Sequence, residues 1–197
     1  SGYYHAYLWE TNVMRDLGSL GGASSSSSAY GINGRGQVVG YAYTNNNSRA
    51  FLWEANVMRD LGTLGGSWSE ALGINGKGQV VGHAALASGN PHAFLKETNT
   101  ANLRDLGTLG GNYSYAYGIN ERGQVTGDAN ITGDVTTDAF LYSHGVMKDL
   151  GTLGGTSSFG RAVNKRGQVT GSSATVGDTA IHAFLYSNGV LKDLGTL

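Results

Sequence analysis

Short apolar runs alternate with clusters of Gly, Asn and Ser along the whole chain. Runs such as Arg49–Trp53 and Val57–Leu61 are only a few residues long, and turn-forming residues bound each of them. Apolar residues at the spacing of an amphipathic helix are not found. The pattern therefore predicts an all-β protein of short strands.

This pattern repeats in phase over the full length. The tripeptide Asp-Leu-Gly recurs every 44 or 45 residues, and Gly-Gln-Val and Ala-(Phe/Tyr)-Leu recur in step with it. We therefore predict one tandem array over residues 1–197, with units at about 1–18 (partial), 19–62, 63–107, 108–151 and 152–197. The Asp-Leu-Gly blocks begin at Asp16, Asp60, Asp105, Asp149 and Asp193.

Each complete unit is predicted to contain four strands, named A to D. Representative strands are Ala71–Ile74 (A), Gln79–Gly82 (B), Arg49–Trp53 (C) and Val57–Leu61 (D). A tight turn joins A to B, because Asn at its first position bonds the backbone two residues on and Gly at its fourth adopts positive φ. The turn asparagines are Asn33, Asn75, Asn120 and Asn164.

Four-stranded units of about 44 residues have the period of β-propeller blades. Small residues in strand A suit the crowded centre of a propeller, and bulky residues in strand C suit packing between blades. We expect four full blades preceded by an extra N-terminal C–D hairpin. A β-solenoid is the alternative, although its coils are usually shorter and lack an internal hairpin.

Composition and charge exclude several classes of protein. Gly accounts for 33 of the 197 residues, and Cys is absent, which excludes disulfide scaffolds and thiolate zinc sites. The 13 basic and 14 acidic residues are too evenly balanced for a nucleic-acid-binding surface. No apolar run is long enough to span a bilayer, so no membrane span is expected.

The combined motifs resemble the bacterial HAF repeat family over essentially the entire chain. The blocks that carry the resemblance are HAFLW, DLGTLGG, S-x-A-x-GIN and RGQVVG. The resemblance implies probable extracellular repeats and export to the bacterial cell surface, and it supplies no catalytic or ligand residues. Departures from the pattern are Arg49 and Asp138 for the His, Lys96 for the Trp, and Val163 for the Ile.

Repeated His and Asp residues are the first candidates for chemistry. His5, His92 and His182 begin equivalent strands, but strands in different blades lie too far apart to share a metal ion. The Asp of Asp-Leu-Gly occurs once per blade, whereas paired catalytic carboxylates must lie close together. We therefore predict no metal, no cofactor and no enzyme activity. The Asp residues are expected to accept backbone N–H bonds at the end of strand D, or to pair with a neighbouring blade.

Ligand binding is predicted at the loops that join strand D to the next strand A. Trp68 and Tyr113 stand there beside Ser69 and Asn112, a combination that can stack on a sugar ring and bond its hydroxyls. The competing interpretation is that these aromatic residues pack between blades. Glycosylation sequons begin at Asn46, Asn112 and Asn130.

The partial first unit has three explanations. The chain is a fragment of a longer array, or it closes imperfectly as a ring of four or five blades, or another copy completes the orphan hairpin. We expect an extracellular structural or interaction module that assembles with itself or with other surface proteins. A carbohydrate-binding, lectin-like propeller is the alternative function.

Overall fold

A computed structural model describes residues 2–44 and 47–196. These residues form a two-stranded hairpin, two antiparallel four-stranded sheets, and one eight-stranded sheet in which a parallel bridge joins two further antiparallel groups of four consecutive strands. We number the four groups of four strands as sheets 1 to 4. The hairpin consists of β1 (Tyr7–Glu10) and β2 (Val13–Asp16). Sheet 1 consists of β3 (Ser27–Ile32), β4 (Val38–Thr44), β5 (Asn47–Glu54) and β6 (Val57–Asp60).

The remaining three sheets repeat the same order. Sheet 2 consists of β7 (Gly65–Ile74), β8 (Val80–Leu86), β9 (Pro91–Lys96) and β10 (Arg104–Asp105). Sheet 3 consists of β11 (Gly110–Ile119), β12 (Val125–Ile131), β13 (Thr137–Ser143) and β14 (Val146–Asp149). Sheet 4 consists of β15 (Gly154–Val163), β16 (Val169–Thr175), β17 (Ile181–Ser187) and β18 (Val190–Gly195), with a 3-10 turn at Val176–Asp178.

The predicted all-β class is therefore confirmed, and each sheet has the predicted order A, B, C, D. The first strands of successive sheets contact one another, so we call β3, β7, β11 and β15 the inner strands. A parallel bridge between Thr137 and Ser157 also joins sheet 3 to sheet 4. Within residues 2–44 and 47–196, no helix is long and apolar enough to cross a membrane.

The turn between the first two strands of each sheet follows from its Asn and Gly residues. In sheet 2 the N–H of Gly78 donates to the carbonyl of Asn75 at 3.0 Å, and the φ of Gly78 is +82°. The side-chain oxygen of Asn75 accepts the backbone N–H groups of Lys77 and Gln79, both at 3.0 Å. The other three turns are built in the same way.

A β-bulge interrupts every inner strand at the same position. In sheet 2 the register with β8 shifts between Ala71 and Gly73, which leaves Leu72 as the extra residue. Gly82 lies opposite, so close that a Cβ built on it would lie 1.9 Å from the carbonyl oxygen of Glu70. Only glycine fits there, which explains the fixed Gly in the middle of each second strand.

Apolar clusters between successive sheets form the core. Each cluster joins the Ala of the third strand and the Leu of Asp-Leu-Gly in one unit to a large aromatic residue in the next. Between the hairpin and sheet 1, for example, Ala6 and Leu17 pack with Phe51 and Trp53. The core is therefore divided into interfaces between neighbours, as in other repeat proteins.

The inner strands are longer than predicted. The segments around Trp68 and Tyr113 were expected to be loops, but they lie inside β7 and β11. The reason is that β8 and β12 also extend, and Leu86 and Ile131 pair with Gly65 and Gly110. The sequon at Asn46 lies outside the described residues.

Candidate binding surface

A buried serine joins each sheet to the unit before it. The hydroxyl of Ser69 accepts the N–H of Ala50 at 2.9 Å and donates to the carbonyl of Gly62 at 2.6 Å. Both partners belong to the preceding unit. Ser27, Ser114 and Ser158 make the same two bonds, with distances of 2.8–2.9 Å to the N–H and 2.5–2.7 Å to the carbonyl. We call this arrangement the serine link.

The turn asparagines form a second connection between sheets. The side-chain amide of Asn33 donates to the backbone carbonyl of Asn75 at 3.0 Å, and Asn75 donates to that of Asn120 at 2.9 Å. Asn120 continues the series to Asn164 at 2.7 Å. Every bond runs in the same direction, so the asparagine ladder gives the array a polarity.

The Asp of each Asp-Leu-Gly motif closes a local turn. Its Oδ1 atom accepts the N–H of the residue two positions on, as between Asp105 and Gly107 at 2.8 Å. The other four motifs show the same bond at 2.7 Å. The side chain that pairs with this Asp lies in the same unit rather than in a neighbouring one. His92, at the start of the third strand, places Nδ1 2.9 Å from the carboxylate of Asp105.

In four of the five units a His or Arg side chain lies against this Asp, and the partner is acidic only in sheet 3. His5 and His182 repeat the bond of His92, and Arg49 lies 3.2 Å from Asp60. In sheet 3 the equivalent position carries Asp138, which faces Asp149. Burial, together with the charge of Asp149, raises the pKa of Asp138 to about 6. The bond to His5 holds the pKa of Asp16 below its usual value.

Residues that differ between units are concentrated on the inner and second strands. They flank the fixed Ser of the first strand and the Ala two residues later, which is Gly160 in sheet 4, and they follow the fixed Gly of the second strand. We define the inner-strand strip as Tyr30, Tyr41, Trp68, Glu70, His83, Tyr113, Tyr115, Tyr117, Asp128, Phe159 and Arg161. Its composition, rich in aromatic rings with a few ionisable groups, is typical of binding surfaces.

The rings of the strip contact one another within and between sheets. Tyr41 lies 5.8 Å from Tyr30, measured between ring centroids. His83 lies between two rings, with centroid distances of 5.4 Å to Trp68 and 4.8 Å to Tyr115, and the second of these contacts crosses from sheet 2 to sheet 3.

At the far end of the strip, sheet 4 contributes an exposed cation. The guanidinium carbon of Arg161 lies 4.4 Å from the ring centroid of Tyr117 and 5.5 Å from that of Phe159. Such cation–π contacts hold the guanidinium plane against the rings. The strip therefore continues from sheet 3 into sheet 4.

Burial shifts the ionisable groups of the strip toward their neutral forms. It raises the pKa of Asp128 to about 6, although Arg161 opposes this, and it lowers the pKa of His83 to about 4. Burial also raises the pKa of Glu70. Oδ1 of Asp128 and Nδ1 of His83 are buried, with no hydrogen-bond partner among the described residues. These two residues occupy the same position in successive sheets.

The four predicted ligand residues separate into two groups. Trp68 and Tyr113 belong to the strip, and Tyr113 lies close enough to contribute to the raised pKa of Tyr115, although burial is the larger cause. Ser69 is fully buried in the serine link, so its hydroxyl is not available to a ligand. Asn112 is exposed, and both its backbone N–H and its side-chain amide donate to Asp134.

Solved structures of other proteins are similar to this chain in fold. The structure is similar to TolB from Acinetobacter baumannii, with a TM-score of 0.65 and 12% sequence identity, over 96% of this chain and 48% of that one. It is also similar to a TolB structure from Agrobacterium tumefaciens, with a TM-score of 0.67 and 14% identity, over 98% of this chain and 68% of that one. The chain thus spans about half the length of the first protein.

These similarities support the prediction of a β-propeller-like fold. At such low identity they concern the fold alone. No family model matches the chain, and no curated protein matches it. The resemblance to HAF repeats therefore stays an expectation drawn from the motifs.

Proposed function

We propose that this chain is a structural and interaction module that associates with other copies of itself through its two end faces. In this proposal the four sheets are propeller blades, and the N-terminal hairpin is half of a further blade. The observation that carries the proposal is the repeated interface between units, in which the same Ala, Leu and aromatic positions pack together at every internal contact.

The internal interfaces define what an end face lacks. The Leu of Asp-Leu-Gly is only 5–8% exposed in the first four motifs, because the next unit covers it. In sheet 4 the equivalent Leu194 is 54% exposed, and Ala183 is exposed as well. Sheet 4 therefore carries the same Ala and Leu that every internal unit presents to its neighbour.

The hairpin presents the other half of the same interface. The Phe residue of the third strand is fully buried in all four sheets, whereas the equivalent Tyr7 of the hairpin is 58% exposed. Trp9 is 57% exposed, whereas Trp53 in sheet 1 is 6% exposed. Aromatic residues thus lie open at one end, and the Ala and Leu they would cover lie open at the other.

Docking the hairpin of one copy on sheet 4 of another would rebuild the outer half of the internal interface. Such a contact is head to tail, and it generates a ring if its rotation closes and a filament if it does not. Large exposed apolar patches of this kind are typical of protein–protein contacts.

Analytical ultracentrifugation of the purified 197-residue chain tests this proposal. We expect a concentration-dependent series of oligomers at micromolar protein, and Leu194→Glu or Tyr7→Glu should each shift it to monomer, because each buries a charge in the contact. An equimolar mixture of these two variants keeps one intact Tyr7 face and one intact Leu194 face, so it should form dimers and stop there.

Val135→Glu is the matched control, since Val135 is an exposed aliphatic residue away from both end faces. It should leave the oligomer series unchanged. A wild-type chain that stays monomeric at 100 μM, or one whose assembly is insensitive to Leu194→Glu, would contradict the proposal.

We place this module outside the cell, at the bacterial surface or in its matrix. The support is the HAF-like motif set, which implies export. Other surface proteins are further partners under this proposal, because a complementary apolar surface on another protein could pack against the same Ala, Leu and aromatic residues. Fractionation of a bacterium that expresses the chain tests the location, and a purely cytoplasmic pool contradicts it.

Carbohydrate binding is a second candidate function. The observation that favours it is the strip itself, where Trp68 and Tyr113 lie among polar groups. Aromatic rings bind the apolar faces of sugars, and neighbouring carboxyl or imidazole groups bond their hydroxyls.

A further inference from the structure

Each of the four β-bulges adds one residue to its inner strand, and the type of that residue varies between sheets. The extra residues are Tyr30, Leu72, Tyr117 and Arg161, at the same position of the four inner strands. Bulges often re-aim a side chain next to a binding site, and here the fixed residues around them form the framework. The bulge therefore separates a constant scaffold from positions that are free to vary.

These varied side chains form a surface that continues across sheets. Tyr41 stands 5.6 Å from Tyr43 as well as close to Tyr30, and β3, the inner strand that carries Tyr30, contacts β7 of sheet 2. From sheet 2, His83 contacts the ring of Tyr115 in sheet 3. The aromatic surface thus crosses at least three sheets.

Parts of this surface are open to a ligand. Tyr30 and Tyr113 of the strip are 54% and 37% exposed, and Tyr43 beside the strip is 39% exposed. Tyr30 and Tyr43 both lie against the more buried ring of Tyr41, so their orientations are partly fixed. Rings that are held in place bind with a smaller loss of side-chain entropy than mobile ones.

The chemistry of the strip selects for a neutral ligand with many hydroxyl groups. Glu70 and Asp128 disfavour an anionic ligand, and Arg161 at the far end disfavours a cationic one. Exposed positions carry phenol rings rather than aliphatic side chains, so the surface lacks the apolar pockets that hold the side chains of a peptide. Phenol, carboxyl and neutral imidazole groups all bond hydroxyls.

We infer that the inner-strand strip binds an extended, uncharged oligosaccharide that lies across sheets 1 to 3 and stacks on Tyr30, Trp68 and Tyr113. This inference rests on the second function proposed above, and it extends the site from one locus to a chain of contacts. Because one stacking position is supplied per sheet, affinity should depend on the length of the ligand.

Isothermal titration of the full chain with cello-, chito- and manno-oligosaccharides of one to six sugar units tests the inference. We expect at least one series whose affinity rises at least tenfold between two and six units. Within that series, Tyr30→Ala and Tyr113→Ala should each weaken binding of the hexamer by about 5- to 10-fold, the usual effect of one lost aromatic contact.

Val146→Ala is the control, because Val146 is 65% exposed and lies on β14, the strand of sheet 3 farthest from the inner strand. It should leave the affinity unchanged. Near-ultraviolet circular dichroism of each variant verifies that the sheets are intact, and Tyr30→Phe, which keeps the ring, should retain most of the affinity.

The possible outcomes separate the two proposals. One outcome would overturn the extended site but support carbohydrate binding at a single locus. In that outcome Trp68→Ala abolishes binding, Tyr30→Ala has no effect, and the affinity does not depend on the length of the oligosaccharide. Absence of binding across all three series would overturn both. Binding of a proline-rich decapeptide that displaces the hexamer, or that replaces it altogether, would also overturn the inference. Self-association is measured separately and is unaffected by these results.

Discussion

A single serine hydroxyl connects neighbouring units in every internal interface. Because its two bonds reach a backbone N–H and a backbone carbonyl of the preceding unit, removing the hydroxyl leaves two buried groups unsatisfied. Such groups cost more than the hydrogen bonds themselves contribute. At the residue scale, this serine is the most sensitive polar position of the repeat.

Substitution of Ser69 tests its role. We expect Ser69→Ala to lower the free energy of unfolding by about 1–3 kcal/mol in urea denaturation, because the N–H of Ala50 and the carbonyl of Gly62 lose their partner. Ser67→Ala is the control, since Ser67 is exposed and should change stability by less than about 0.5 kcal/mol. Equal effects of the two variants would argue against the serine link.

Asp138 makes sheet 3 dependent on pH. Its pKa is raised from 3.8 to about 6, so the folded protein binds this proton more tightly than the unfolded chain does. The resulting stability is fully present below pH 3.8 and is lost as pH rises through about 6. Wild type should therefore lose stability relative to Asp138→Asn between pH 4 and 6.5. If the free energies of unfolding of the two proteins changed in parallel with pH, the raised pKa of Asp138 would be contradicted.

Restoring the repeat residue should stabilise the protein at neutral pH. We expect Asp138→His to raise the free energy of unfolding at pH 7 by about 1 kcal/mol, because it replaces a carboxyl pair by the His–Asp bond seen at His92. The reciprocal variant His92→Asp should lower it and introduce the pH dependence of Asp138 into sheet 2. Thermal melts at pH 5 and pH 7 measure both effects.

Sequence periodicity predicted some residue roles and missed others for physical reasons. The Asn and Gly of each turn were predictable, because their bonds are local and each residue type has few alternatives. Ser69 was interpreted as a ligand residue, since a serine among glycines resembles an exposed loop and its partners lie in another unit. Its exact recurrence at Ser27, Ser114 and Ser158 was the signal that could have identified the serine link.

At the scale of the element, the pairing of the first two strands depends on the bulge and on the glycine opposite it. The bulge pushes the inner strand toward its partner, and Gly82 accepts this close approach. The extra length of the inner strand could not be predicted, because Gly-Gly and Ser-rich segments favour loops when taken alone. Pairing with the extended second strand overrides that local preference.

A methyl group at this glycine should break the pairing. We expect Gly82→Ala to destabilise the protein by at least about 3 kcal/mol, because its Cβ would overlap the carbonyl oxygen of Glu70 and backbone atoms cannot move aside cheaply. Gly34→Ala is the control, since no atom lies within 4 Å of its Cβ position and its φ is not positive. Near-wild-type stability of Gly82→Ala would refute this explanation.

At the scale of the whole molecule, the repeat unit and its strand order could be predicted, but only Trp68 and Tyr113 of the candidate binding surface could be. The strip arises from residues of different units, such as His83 and Tyr115, that only the folded arrangement brings together. Its members are the positions where units differ, so a search for shared motifs passes over them. The exposure of Leu194 likewise could not be predicted from the sequence, because only the structure shows that the four equivalent Leu residues are buried.

The asparagine ladder and the serine link both connect each unit to its immediate neighbour. A chain held by such bonds and pulled from both ends would therefore unfold one sheet at a time. Each event would release about 44 residues, or roughly 150 Å of extended polypeptide. In an optical trap the extension of this module should therefore increase in equal steps, one for each sheet that unfolds, while the remaining sheets stay folded.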